Sequence, residues 1–175
     1  MTERRSIIRP ALIAATFTAL ASLADPARAD IVIGGDLEYA FPVDSDAESG
    51  PGFGVRLGNQ MRLPAVALVP EVAFTYHGLT GDFGPNVYRG VGGLRLGISE
   101  ILRPGIFGHL GVGHLSADFA GRDVSHTAFT YDVGAFLELT LLPLLNLGLH
   151  GAYNSLTGDG DLQWITAGLH VDLVF

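Results

Sequence analysis

The sequence predicts an all-β protein, an eight-stranded antiparallel up-and-down transmembrane β-barrel. Three observations predict it. Eight segments alternate apolar and polar residues with a period of two. The connections between them alternate between long and short. The aromatic residues collect at the strand ends beside the long connections.

The first 29 residues stand apart from this pattern. Arg4, Arg5 and Arg9 make a basic start, and Ala11 to Leu23 form an apolar run. Small residues at Ala27 and Ala29 follow, at the positions a signal peptidase reads. This predicts a signal peptide over 1–29, removed on export, and a barrel over 30–175. The run is too short and wrongly flanked for a spanning helix.

The alternating segments are, in order, Asp30–Phe41, Gly52–Met61, Ala65–His77, Val87–Ser99, Gly105–Leu115, Thr127–Leu139, Leu144–Asn154 and Gln163–Phe175. Each is long enough to cross a bilayer when tilted, which takes about 9–11 residues. "PVDSDAESGP", "GLTGDFGPN", "SADFAGRDVSH" and "SLTGDGDL" are the long connections. "RLP", "EILRP" and "TLLP" are the short ones. A barrel in an outer membrane has this asymmetry, with short turns in the periplasm and longer loops outside.

Alternation alone does not say which face is inside, since a soluble lipocalin-like barrel buries its apolar face. The composition of the polar face decides. It reads Val32, Gly34, Asp36, Glu38, Ala40 in the first segment and Gly54, Arg56, Gly58, Gln60 in the second. Arg89, Val91, Gly93, Arg95 and Gly97 follow in the fourth, and Trp164, Thr166, Gly168, His170, Asp172 and Val174 in the last. A solvated face is normally dense in charge of both signs. Gly beside Arg suits a narrow lumen, where a small residue leaves room for a neighbour's long side chain. Tyr39, Phe41, Phe53, Phe74, Tyr76, Tyr88, Phe129, Tyr131 and Tyr153 share the apolar face near the long connections, as a girdle at one membrane interface does.

Together these features resemble the small eight-stranded outer-membrane barrels of Gram-negative bacteria, the group that includes the OmpA barrel, OmpX and OmpW. The resemblance covers 30–175 and rests on architecture and on the terminal aromatic. It implies residence in the cell outer membrane, as a monomer, among lipid and lipopolysaccharide. It also implies that the last strand is recognised by the barrel-assembly machinery through an apolar residue, one intervening residue and a terminal aromatic. Leu173, Val174 and Phe175 match that signal. The family often has Gly five residues before the end, where this chain has His170, with Gly168 two earlier.

Parity aims a polar set into the lumen: Asp36, Glu38, Arg56, Glu71, His77, Arg89, Arg95, His109, Asp132, Glu138, His150, His170 and Asp172. Folding the hairpins at their turns sets Glu38 opposite Arg56, Glu71 between Arg89 and Arg95, and Asp132 near His150. An eight-stranded interior is just wide enough for side chains to fill. The expected arrangement is therefore a plug of ion pairs and hydrogen bonds that satisfies buried polar groups. The alternative is a narrow path for cations, protons or small solutes.

His114 and Ser116 form a His-x-Ser pair on the lipid-facing parity, near the rim. Lipid A deacylases are barrels with such a pair on the outer wall. An active Ser needs a base and the base an orienting group, and no acid partner follows here. These two are the weak catalytic candidates, beside the plain reading of a strand end passing into a loop. Asp44, Asp46, Glu48, Asp82, Asp118, Asp123, Asp159 and Asp161 make the long connections acidic. Such residues keep loops soluble, can bind Ca²⁺, and could bridge to anionic lipopolysaccharide through divalent ions.

The rest is exclusion. The net charge is −8, or about −10 once the signal's four Arg and two carboxylates are gone, so nucleic acid is not an expected partner. With no Cys there is no disulfide framework and no thiolate metal site. "GVGGLRLG" places its glycines in a strand and not before a helix, so no nucleotide loop and no cofactor is expected. The expected role is non-enzymatic, at the envelope surface.

Overall fold

The computed structural model describes residues 29–43, 47–63, 66–81, 84–98, 101–119, 122–142, 144–158 and 161–175. The predicted signal peptide, save Ala29, lies outside them, as do Asp44, Asp46, Asp82 and Asp159. The strands are β1 (Ala29–Val43), β2 (Gly50–Leu63), β3 (Val66–Gly78), β4 (Asn86–Ile98), β5 (Leu102–Phe119), β6 (Arg122–Leu142), β7 (Leu145–Thr157) and β8 (Leu162–Val174). Each pairs antiparallel with its neighbours in the sequence, and β1 pairs with β8 to close the barrel. Closure leaves no sheet edge unpaired, which is what a β structure needs in lipid. The seam extends to the last residue: Ile31 and Phe175 exchange two backbone hydrogen bonds of 2.9 Å.

One expected long loop is not a loop. "SADFAGRDVSH" continues the β5–β6 ladder, with Ser116 opposite Ser125, Ala117 opposite Val124 and Phe119 opposite Arg122. Only two residues separate Phe119 of β5 from Arg122 of β6, a common hairpin-loop length. Strand pairing satisfies the backbone groups a loop would leave to water. At the other end of the barrel, β5 starts earlier than expected, and Arg103 and Pro104 of "EILRP" belong to it.

The alternation sorts side chains as expected. Leu37, Val55, Val72, Ile106, Val133, Leu149 and Leu169 are exposed around the outer wall. A wall this apolar faces lipid and not water. The aromatic band lies at the long-connection end of the wall. Phe53, Tyr76 and Tyr88 form one chain of ring contacts at 5.1–5.3 Å, and Phe129, Tyr131 and Tyr153 another at 6.4–6.5 Å. Inside, apolar side chains gather at the two ends. Ala40, Leu79, Val87, Leu156, Leu162 and Trp164 form a buried cluster at the long-connection end. Val32, Val69 and Val174 form a smaller one at the short-turn end. The polar side chains lie between these two lids.

Candidate functional site: the polar lumen

Period-two alternation aims every second side chain inward, and closure around eight strands brings those side chains together. All thirteen expected lumen residues point inward, and eleven are buried; Glu38 and His150 are half-buried. The partners each residue meets are mostly not those expected. Arg56 does not pair with Glu38. Its Nε donates to Asp36 Oδ2 at 2.9 Å and its Nη2 to Asp172 Oδ1 at 2.8 Å, while Glu71 stands 3.8 Å away. The register explains this. Gly34 of β1 lies opposite both Arg56 of β2 and Asp172 of β8. A Cβ at Gly34 would collide with both side chains, so their bridge passes over the glycine.

Glu38 lies opposite Gly52 and takes His77 instead, at 3.1 Å. Glu71 is beside Arg95 at 3.6 Å but not beside Arg89. Arg89 reaches across β5 to β6 and β7, where it donates to Thr130 at 3.0 Å and to Asn154 and Asp132. Asp132 is not held by His150. It shares His109 with Glu71: His109 Nδ1 is 2.7 Å from Asp132 and Nε2 is 2.9 Å from Glu71. Each ring nitrogen of His109 thus faces a carboxylate at hydrogen-bond distance. Arg95 lies between Asp172 at 3.2 Å, Glu71 and Glu138, with Phe107 and Phe136 across its guanidinium at 6.0 and 4.8 Å. His150 and His170 face each other, Nδ1 to Nδ1, at 3.3 Å.

A fourth arginine completes the network. Arg103 donates to Glu138 at 2.8 Å. The short connection "EILRP" contains it in the sequence reading. The signal that could have found it is the alternation Arg103, Gly105, Phe107, His109, which runs unbroken into the strand. Trp164 was placed on the inner face, and it closes the network at the long-connection end. His77 packs edge-on to it at 5.8 Å, and Arg89 stands over its ring at 5.5 Å.

Outside the lumen, His114 is exposed and its Nδ1 is 2.8 Å from the hydroxyl of Thr127. Among the described residues no carboxylate pairs with it. Ser116 lies two residues on, in the β5–β6 extension. Leu173 and Phe175 are exposed on the outer wall of β8. Of the acidic residues in the long connections, Glu48 and Asp161 are exposed, and Glu48 forms an isolated bridge to Thr80.

The geometry has counterparts among solved structures. Neisserial surface protein A superposes with a TM-score of 0.67 at 16% identity, over 83% of this chain and 97% of that one. The fold is that of the small outer-membrane barrels. Ail, the attachment invasion locus protein of Yersinia pestis, gives a TM-score of 0.53 at 19% identity, over 84% of this chain and 97% of its own. The outer membrane enzyme PagL gives 0.53 at 13% identity, over 81% of this chain and 98% of its own. These small barrels differ in role, so the shared scaffold does not assign one. No family profile and no curated protein sequence matches the chain.

Proposed function

We propose that this protein is an integral, monomeric barrel of the outer membrane that acts at the envelope surface, without conducting solutes and without catalysis. The fold it shares with other outer-membrane barrels and its apolar outer wall support the location. The filled and capped lumen carries the reading. Two internal cavities lie in it, one of about 40 Å³ and one of about 10 Å³. A buried water needs about 10–15 Å³, so the first has room for only a few waters. Inserted into planar bilayers, the protein is expected to give no conductance steps. Discrete steps that change with Arg89→Met, inside the lumen, would overturn the closed-lumen reading.

The surface role then falls to the rim and the outer loops. Their acidic residues suit divalent-bridged contact with anionic lipopolysaccharide. Residues 1–29 serve as the export signal, and Leu173 and Phe175 present the last strand to the assembly machinery. Mass spectrometry of lipid A from cells expressing the protein is expected to show unchanged acylation. A lost acyl chain that returns with Ser116→Ala would make it an enzyme.

A further inference from the structure

We propose that Asp36, His150 and His170 form a divalent-metal site inside the barrel, suited to Zn²⁺. Each residue offers one ligand atom, and the three atoms lie within 4.8 Å of one another. The two nitrogens are 3.3 Å apart. Two nitrogens bound tetrahedrally to one zinc at about 2.0–2.1 Å are separated by about 3.3 Å. Asp36 Oδ1 is 3.9 Å from His150 Nδ1, and a small movement brings it to the same spacing. Its other oxygen is taken by Arg56, which leaves Oδ1 free to ligate and holds the carboxylate in place.

The surroundings are those of a built site. A ligating histidine normally presents its other ring nitrogen to a carboxylate, which sets tautomer and orientation. Both histidines have one. His150 Nε2 is 3.7 Å from Glu38, and His170 Nε2 is 3.4 Å from Glu138. His170 is almost wholly buried, and its Nε2 lacks a well-formed hydrogen bond. Metal binding at Nδ1 would fix the proton on Nε2, where Glu138 can accept it.

The backbone is cleared for both rings. His150 lies opposite Gly168 and His170 opposite Gly148, and a Cβ on either glycine would press against the facing imidazole. The larger cavity is bordered by Asp36 and His150, so a fourth position can be filled by water. Charge favours a cation as well. Six lumen carboxylates outnumber the four arginines by two. The neighbouring group of Glu138, His170 and Asp172 is the weaker candidate, because Arg56, Arg95 and Arg103 already occupy its carboxylates. The simplest competing occupant is a proton shared between the two histidines.

Zinc is supplied during folding, before the barrel closes around the three ligands. The test refolds the protein into detergent with Zn²⁺, passes it over a chelating resin, and measures metal by mass spectrometry. Folding is scored separately by mobility on an unboiled gel. One zinc per folded barrel is expected, falling at least tenfold in His150→Gln and Asp36→Asn and unchanged in His114→Gln. A folded wild-type barrel that retains less than a tenth of an equivalent overturns the site and leaves the shared proton. So does one equivalent undiminished in both lumen variants. Should the variants fail to fold, Co²⁺ in the wild type decides. An intense tetrahedral visible spectrum supports the site, and a weak octahedral one overturns it. Bilayer conductance does not enter this test, so failure here is separate from failure of the closed-lumen reading.

Discussion

Arg56→Met is expected to lower the stability of the folded barrel by about 3–5 kcal/mol, the cost of breaking a buried ion pair from one side. Arg56 is 6% exposed and lies within 3.8 Å of Asp36, Asp172 and Glu71. Removing it takes away the cation those three share, with little water to replace it. Asp172 and Glu71 keep Arg95, and Glu71 keeps His109, but Asp36 loses its arginine. The lids at either end keep bulk water from filling the gap. Arg62→Met supplies the contrast. Arg62 pairs with Asp30 at 3.0 Å, but its side chain is 61% exposed, so its loss costs about 1 kcal/mol or less. Urea unfolding in phospholipid vesicles measures both. Trp164, the chain's single tryptophan, reports as it leaves the lumen. If Arg56→Met costs no more than Arg62→Met, the lumen network does not hold the barrel together.

Ile106→Arg is expected to cost up to about 2–4 kcal/mol in the same vesicles, the penalty for a cation on the lipid face. Ile106 is 61% exposed and lies well below the aromatic band, paired with Leu96 and Ala135. In a water-soluble barrel an exposed Ile accepts Arg at a cost within about 0.5 kcal/mol. The two environments therefore predict different outcomes for one substitution. Val124→Arg, in the β5–β6 extension beyond the aromatic band, is the matched control and should be near neutral. Equal effects at both positions would remove the argument that the outer wall meets lipid.

These predictions draw on features of unequal visibility in the sequence. Ile106 is legible at once. It sits in an alternation whose partners at Gly105 and Phe107 point the other way, and parity is a local property of the strand. The inward aim of Arg56 was legible for the same reason. Its partner was not. Counting back from the turn set it opposite Glu38, whereas the register sets it opposite Gly34. A pairing offset of a few residues is invisible to alternation, because any even shift keeps the same faces inside. Arg103 was hidden differently. A proline beside it reads as a strand boundary, and only pairing with Glu138 of β6 shows the strand continuing. The β5–β6 hairpin beyond the rim shows the same limit, since Gly, Asp and Ser mark a loop by composition while cross-strand pairing makes a ladder of them.

Residue order alone was enough for the eight strands, their inner and outer faces, the aromatic band and thirteen of the polar side chains that fill the lumen. Each of these follows from period-two geometry or from the chemistry of a residue at its own position. Only the tertiary structure decided which charges meet. It brought His150 and His170 nitrogen to nitrogen beside Asp36, and drew Arg56 over Gly34 to Asp172. Those contacts join strands far apart in the chain, and they depend on how far each strand slides past the next before the barrel closes.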